Sequence, residues 1–322
     1  MLSKWRQLFF VLLIIGASLE TRANNLFLIR RHNKYGYIDR KGQVVINPIY
    51  DYAREFSEGL AAVALKGLWG YIDTLGRYQI PLQYDWAESF SWGRAEVRLN
   101  NKRYYINRKG EVVFELKYPY ADEFSEGRLR VSNGEKYGFL DPAGRLIGKL
   151  GYDWADNFSQ GLAVVCKDKK YGFINIKGEY YIRPQFSWAG RFQDNRAPIK
   201  LDSQYGYINL RQEIIIPPRF DDAWEFSEGL AVVRVNNYFG AIDSLGKFVI
   251  LPKYQGLASF SEGLIAFTLD SLYGYLDTSG RVVIPAKFSY AGPFRGGLAL
   301  VKIKDQWAYI NKAGKIIWSE RK

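Results

Sequence analysis

Apolar and polar positions alternate in short runs along this chain, and the alternation returns every 34 residues. Tyr35-Gly36-Tyr37-Ile38-Asp39 recurs as Trp69-Gly70-Tyr71-Ile72-Asp73, Tyr137-Gly138-Phe139-Leu140-Asp141, Tyr171-Gly172-Phe173-Ile174-Asn175 and Tyr205-Gly206-Tyr207-Ile208-Asn209. Phe239-Gly240-Ala241-Ile242-Asp243, Tyr273-Gly274-Tyr275-Leu276-Asp277, Trp307-Ala308-Tyr309-Ile310-Asn311 and the divergent Arg103-Tyr104-Tyr105-Ile106-Asn107 complete nine copies in constant register. A fixed period of this length is the mark of a repeat architecture, in which each unit buries its apolar face against the next.

Within a unit the pattern predicts three strands. Strand A is Gly59-Leu60-Ala61-Ala62-Val63, whose last column holds Val97, Val131, Val165, Ile199, Val233, Phe267 and Val301 in later units, a buried and mostly β-branched position. Strand B is the Tyr-Gly-Tyr-Ile segment, where aromatics two apart share a face. Strand C is Val44-Val45-Ile46 and its equivalents, often followed by proline, which suits a strand end or an edge. Position 39 and its eight equivalents are all Asp or Asn, with glycine three residues later except at Gln212. That spacing specifies a type I turn with a bulged glycine between strands B and C, and accounts for the acidic column without a metal or catalytic role.

Between strand C and the next strand A runs a connector such as Tyr50-Asp51-Tyr52-Ala53-Arg54-Glu55-Phe56-Ser57-Glu58-Gly59. Its alanine, three residues before an unbroken phenylalanine column (Phe56, Phe90, Phe124, Phe158, Phe192, Phe226, Phe260, Phe294), predicts a single helical turn closed by glycine. The array begins at a strand A (Leu26–Arg30) and ends at a strand C (Lys315–Trp318), so no terminal strand is reserved to complete a unit at the other end. The expected fold is therefore all-β: tandem three-stranded β-meanders stacked as an open solenoid or superhelix, with a propeller-like closed ring as the alternative.

The combination Tyr/Trp-Gly-Tyr-Ile-Asp, Gly-Lys/Arg-x-Val-Ile-Pro and Phe-Ser-Glu-Gly-Leu-Ala-x-Val resembles the WG-repeat (KWG) family of bacterial proteins over about residues 26–318. The Trp-Gly signature stands unaltered only at Trp69-Gly70. The resemblance implies a β-rich repeat scaffold with interaction or binding roles, and carries over no catalytic residue and no cofactor.

Ahead of the array, Lys4 and Arg6 precede an uncharged apolar run, Leu8–Ala17, and then Thr21-Arg22-Ala23. A basic start, about ten apolar residues and small residues at −3 and −1 fit a secretory signal peptide over residues 1–23, leaving 24–322 as one array of nine units, exported to the periplasm or beyond. The run is about half the length needed to cross a bilayer, so no membrane span is expected after cleavage.

Composition narrows the chemistry. One histidine, His32, and one cysteine, Cys166, leave no histidine-rich metal site, thiolate cluster or internal disulfide framework. Cys166 sits in a mostly polar strand A column, which predicts partial exposure. No phosphate loop, His-Glu-x-x-His or Gly-x-Ser-x-Gly is present, and no carboxylate pair is singled out among dozens. The reading is a non-enzymatic scaffold that binds a protein or an envelope polysaccharide; the alternative is a carbohydrate-active enzyme using unrecognised carboxylates. The net charge of +12 would permit nucleic-acid binding, but the acidic connectors and the expected export argue against that partner. Two binding faces are candidates. Cations beside the B–C turns, among them Arg77, Arg145, Lys247 and Arg281, would form a basic edge, and Trp86, Trp92, Trp154, Trp188 and Trp224 cluster in the connectors, where flat rings could stack on sugars or anchor a partner.

Overall fold

The computed structural model describes residues 26–320. The expected signal peptide, residues 1–23, lies outside them. The chain divides into two compact units, Met1–Lys117 and Tyr118–Lys322.

The described residues form nine antiparallel sheets in succession, three in the first unit and six in the second. The first is β1 (Phe27–Arg31), β2 (Lys34–Ile38) and β3 (Val44–Tyr50); the second adds a strand, in the order β4 (Tyr52–Ala53), β5 (Leu60–Leu65), β6 (Leu68–Asp73) and β7 (Tyr78–Tyr84). All eight later sheets are four-stranded. The predicted strands A, B and C are present, but the connector is not a helical turn. Its first residues pair with strand A, Tyr52 opposite Ala64 and Ala53 opposite Val63, and the Arg54 N–H continues the ladder to the Ala62 carbonyl at 2.9 Å. The unit is thus a four-stranded blade of the β-propeller class, which corrects the open solenoid of three-stranded meanders. The small-then-large spacing of Ala and Phe has another cause. Ala87 and Phe90, on the short strand and loop of the third blade, are buried against Leu60, Ala62, Tyr71 and Ile80 of the second, where a small residue lets the sheets approach.

The same packing recurs from blade to blade. One face of a sheet carries the strand B aromatics and the strand C isoleucine; the opposite face of the next carries the valine column and the connector phenylalanine. In the second unit, Phe173, Ile182 and Phe186 of the fifth blade meet Phe192, Ile199 and Ile208 of the sixth. The buried phenols add directed bonds: Tyr37, Tyr71, Tyr207 and Tyr275 donate to the carbonyls of Arg54, Glu88, Trp224 and Gly292, each in the following blade's connector, at 2.6–2.8 Å. Burial pushes all four hydroxyls well above the usual phenol range, so they remain donors.

The glycine after the first strand B aromatic is required by contact. A Cβ on Gly206 would lie 2.5 Å from the Ile216 carbonyl oxygen and 2.7 Å from the Pro218 nitrogen, because strand C bulges across it, skipping from Tyr205 opposite Phe220 to Tyr207 opposite Ile216. Gly36, Gly70, Gly172, Gly240 and Gly274 face the same bulge. The two units that lack this glycine also lack the bulge there: Tyr104 and Tyr105 pair in step with Glu115 and Phe114, and Ala308 and Tyr309 with Ser319 and Trp318. The B–C turns match expectation. The Gly42 N–H donates to the Asp39 carbonyl at 3.0 Å, and the Asp39 carboxylate accepts from the Lys41 and Gln43 N–H groups.

The Phe-Ser-Glu-Gly loop proves to be a clamp between consecutive blades. The hydroxyls of Ser57, Ser125, Ser159, Ser227 and Ser261 donate to a phenylalanine carbonyl 33 residues later, at 2.6–2.9 Å. Beside them the Glu126 and Glu228 carboxylates each accept two N–H groups from the next blade's loop, from Gln160 and Gly161 and from Glu262 and Gly263. Much of the acidity of the connectors is consumed in this way.

Candidate functional site

Each blade has two ends, and the strand pairing assigns the candidate residues to them. At one end lie the B–C turn and the clamp loop. At the other lie the A–B hairpin turn, the end of strand C and the start of the short first strand, so that Trp188, Lys200, Tyr205 and Phe220 of the sixth blade stand in one transverse row.

The basic turn residues belong to the first end, and the three arginines among them are engaged through their side chains. Arg77, Arg145 and Arg281 each donate Nε to the carboxylate of their own turn, Asp73, Asp141 and Asp277, at 2.7–2.8 Å. For Asp73 and Asp141, burial raises the carboxyl, but the arginine and two backbone N–H bonds outweigh it and hold both below the usual range. For Asp277 the Ser279 hydroxyl leads, ahead of those same groups, and the shift is again downward. Lys247 donates its backbone N–H to Asp243 at 2.9 Å. In three of the four turns with Asn the partner changes sign: the Asn107, Asn175 and Asn209 amides donate to Glu111, Glu179 and Glu213, at 2.6, 2.9 and 2.7 Å, while Asn311 keeps a cation, Lys315, four residues on. The signal in the sequence for this exchange, present in six of the nine turns, is the identity of the residue four places after the turn Asp or Asn. Trp92 also stands at this end, 58% exposed, in the column that elsewhere holds the clamping carboxylate.

The other connector tryptophans lie at the hairpin end. In the first, second, third, fifth, seventh and eighth blades the A–B turn is a two-residue hairpin with both central residues at positive φ, as at Asn100 and Asn101 (53° and 62°), the signature of a type I′ turn, whereas the fourth blade joins Ser132 to Tyr137 by a longer loop. Asp51, Asp85, Asp153 and Asp221 hold them, each accepting the N–H of the first turn residue at 2.7–2.9 Å. Next to these turns runs a row of aromatic residues. In the first unit Tyr35, Tyr52, Trp69 and Trp86 follow one another with ring centroids 6.5, 6.2 and 5.1 Å apart. Tyr52 is 62% and Trp86 39% exposed. The Arg54 guanidinium lies over Trp69 and Trp86 at 5.6 and 5.0 Å, and pairs with Glu88 at 2.8 Å.

In the second unit the row is built from cross-strand pairs. Trp154 meets Tyr171 at 5.8 Å, Trp188 meets Tyr205 at 5.5 Å, and Tyr290 meets Trp307 at 5.3 Å. In the seventh blade Asp222 occupies the usual ring position, and Trp224, two residues on, packs against Phe239 at 5.4 Å. Between the two rings of a pair lies one strand A column, Cys166, Lys200 and Lys302, whose seventh-blade member Arg234 lies instead between Asp222 and Phe239. Cys166 is buried, contrary to the partial exposure expected, and burial pushes its thiol up, away from reactivity. Lys200 and Lys302 lie over Tyr205 and Trp307 at 4.8 and 5.7 Å. Tyr205, Tyr290, Trp307 and these two lysines were missed in the sequence, where the relevant signal is a cation 12 residues after an aromatic and five before another.

Among the described residues no group of three or more His, Cys, Asp or Glu side chains could hold a metal ion, and no helix is long and apolar enough to cross a membrane. His32 sits exposed in the first A–B turn.

The model of the WG-containing repeat matches eight tandem segments running from residue 35 to residue 307. The chain belongs to the WG-repeat family. No curated protein matches it in sequence. Among solved structures, this WG-repeat chain is similar in fold to one titled as the crystal structure of the eukaryotic initiation factor: TM-score 0.63 at 12% identity, over 92% of this chain and 95% of that one. Looser likenesses include the dihydro-heme d1 dehydrogenase NirN (TM-score 0.44, 11% identity, 92% of this chain and 73% of that one) and Hsv2p of Kluyveromyces lactis (0.41, 9%, 69% and 90%). At these identities the likeness concerns the fold alone.

Proposed function

We propose that this WG-repeat protein is an exported, non-enzymatic binding scaffold, and that its ligand, a protein or a cell-envelope glycan, engages the aromatic row at the hairpin end of the blades. The repeat propeller architecture makes it a scaffold; the row supplies a surface that recognises. The observation that carries the reading is the asymmetry between the two ends. At the B–C end the arginines Arg77, Arg145 and Arg281 and the clamp carboxylates are bonded within the protein and Trp92 is, among the described residues, the lone exposed connector tryptophan, whereas at the hairpin end Tyr52, Trp86, Tyr290 and Trp307 recur from blade to blade with large aromatic surface in water. Amphipathic rings in that setting are the usual anchors of interfaces. The carboxylates that the enzymatic alternative needs are largely taken up by turns and clamps, so that alternative finds no support. Export rests on the basic and apolar start of the sequence.

The test is retention of envelope polysaccharide and of solubilised envelope protein by the immobilised chain, repeated with Tyr52→Ala/Trp86→Ala. Specific retention that falls in the double variant is expected. Retention of neither ligand class, or retention indifferent to the row, refutes the binding site. N-terminal sequencing of the mature protein tests export, with Ala23 as the residue before the new terminus; an intact Met1 refutes it.

A further inference from the structure

The sixth and ninth blades differ in one coordinated way from the four blades whose hairpin turns are capped by an aspartate; the fourth and eighth carry Pro119 and Gln255 there. In the second, third, fifth and seventh blades the residue ahead of the short first strand is an aspartate, Asp51, Asp85, Asp153 or Asp221, and its carboxylate caps the hairpin turn. In the sixth and ninth it is Ser187 or Ser289, whose hydroxyl donates to the carbonyl of the facing strand A lysine, Lys200 or Lys302, at 2.8 and 3.2 Å. The carboxylate is thus missing where a lysine takes the place between the two rings. In other blades a cation in that column has an acidic or amide neighbour: Arg98 lies 3.7 Å from Glu96, Arg234 lies 3.5 Å from Asp222, and Arg30 donates to Asn33 at 3.0 Å. The ion pairs of the described residues include neither Lys200 nor Lys302, although Asp202 and Asp305 stand in the adjoining turns.

Each lysine sits beside a corner formed by two rings. Trp188 and Tyr205 meet at 65° and Tyr290 and Trp307 at 73°, with the ammonium near the face of one of them. An ammonium over a ring leaves its remaining donors directed outward, and the ring walls, exposed at Tyr290 and Trp307 and half-buried at Trp188 and Tyr205, suit the apolar face of a pyranose. Resting on the reading that the hairpin end binds, we propose that these two corners are subsites for an anionic glycan, each taking a sugar that bears a carboxylate or phosphate. The anionic group pairs with Lys200 or Lys302 and the sugar face lies on Trp188 and Tyr205 or on Tyr290 and Trp307. The missing aspartates favour this ligand over a neutral one, because an ammonium outside any ion pair offers an anionic group a Coulomb attraction on top of the hydrogen bonds that a neutral sugar also accepts.

The experiment measures calorimetric affinity for a polyuronate, a phosphorylated glucan, an uncharged glucan and a single-stranded DNA oligomer, using the full chain and the Lys200→Met/Lys302→Met variant, which keeps most of each apolar stem. The expected result is binding of the polyuronate, the phosphorylated glucan or both, weakened by salt and on the order of tenfold or more weaker in the variant, at an unchanged thermal midpoint. The polyuronate and phosphorylated arms identify which anion is preferred. Equal affinity of the variant, tighter binding of the uncharged glucan, or tighter binding of the DNA overturns the proposal. If envelope protein or uncharged glucan is retained while both anionic glycans fail, the scaffold reading survives and this inference does not. If no ligand of any class is retained, both fall.

Discussion

Replacing Gly206 with alanine is the sharpest trial of how these blades are built. The new Cβ would fall 2.5 Å from the Ile216 carbonyl oxygen, where ordinary contact begins near 3.4 Å, so strand C has to retreat by about 0.9 Å or the sixth blade has to distort. A shift of that size stretches a 2.9 Å backbone bond beyond useful hydrogen-bond range, and one or two such bonds at about 1 kcal/mol each are at stake. Ile216 and Phe220, both nearly solvent-free against the seventh blade, move with the strand, and overpacking of this kind costs about 1–3 kcal/mol. The expected loss is about 2–5 kcal/mol, or roughly 4–20 °C in thermal midpoint for a unit of this size. Differential scanning calorimetry measures it. Ala308→Gly is the control: strand C has no bulge across that position, and the change should cost about 1–2 kcal/mol, from chain entropy and the loss of one buried methyl. If Gly206→Ala melts within 1–2 °C of the parent, about the error of such a scan, the close-approach account of the glycine column is refuted.

Three further outcomes are expected. Gln212 holds a φ of 66° in the one B–C turn without glycine, so Gln212→Gly should raise stability by about 1 kcal/mol in urea unfolding, and a loss would contradict the turn assignment. Tyr207→Phe removes the phenol bond to the Trp224 carbonyl and should cost about 1 kcal/mol, a tolerable change because Phe139 and Phe173 occupy the same column; a cost above about 3 kcal/mol would point to a larger role. Asp141→Asn and Arg145→Glu should each destabilise slightly, by under about 1 kcal/mol, while the double variant, which reproduces the Asn175–Glu179 arrangement, should recover the loss; additivity in the double-mutant cycle would count against the exchange. Because Asp73, Asp141 and Asp277 titrate below the ordinary carboxyl value when folded, their contribution is complete above about pH 4 and disappears as pH falls through their folded values. The parent should therefore lose thermal midpoint in that acid range more steeply than a variant with Asn at all three positions.

The Asp-x-x-Gly spacing specified its turn because every bond in that turn lies within five residues, and the alternation of strands A, B and C placed those strands for the same reason. The 34-residue period likewise implied units that lean on one another. Local pattern misled at the connector. Ala53 and Phe56 carry the spacing of a helical turn, yet the backbone of Tyr52 and Ala53 is claimed by strand A, and Ala87 and Phe90 are small and large to suit the preceding blade. The fourth strand, and with it the propeller class, was settled by those partners. The site followed the same division. Trp86, Trp154 and Trp188 could be recognised as a cluster from sequence, but their position at the hairpin end, opposite Arg77, Arg145 and Arg281, follows from strand pairing. The clamp serine at 227 and its acceptor at 260 are likewise distant in sequence and 2.9 Å apart in space. Sequence determined what each segment does with its own neighbours. Which ring meets which cation, which carboxylate is already bonded, and why glycine must stand at 206 were decided by the tertiary structure, because those interactions join residues from separate strands whose spacing no local pattern encodes.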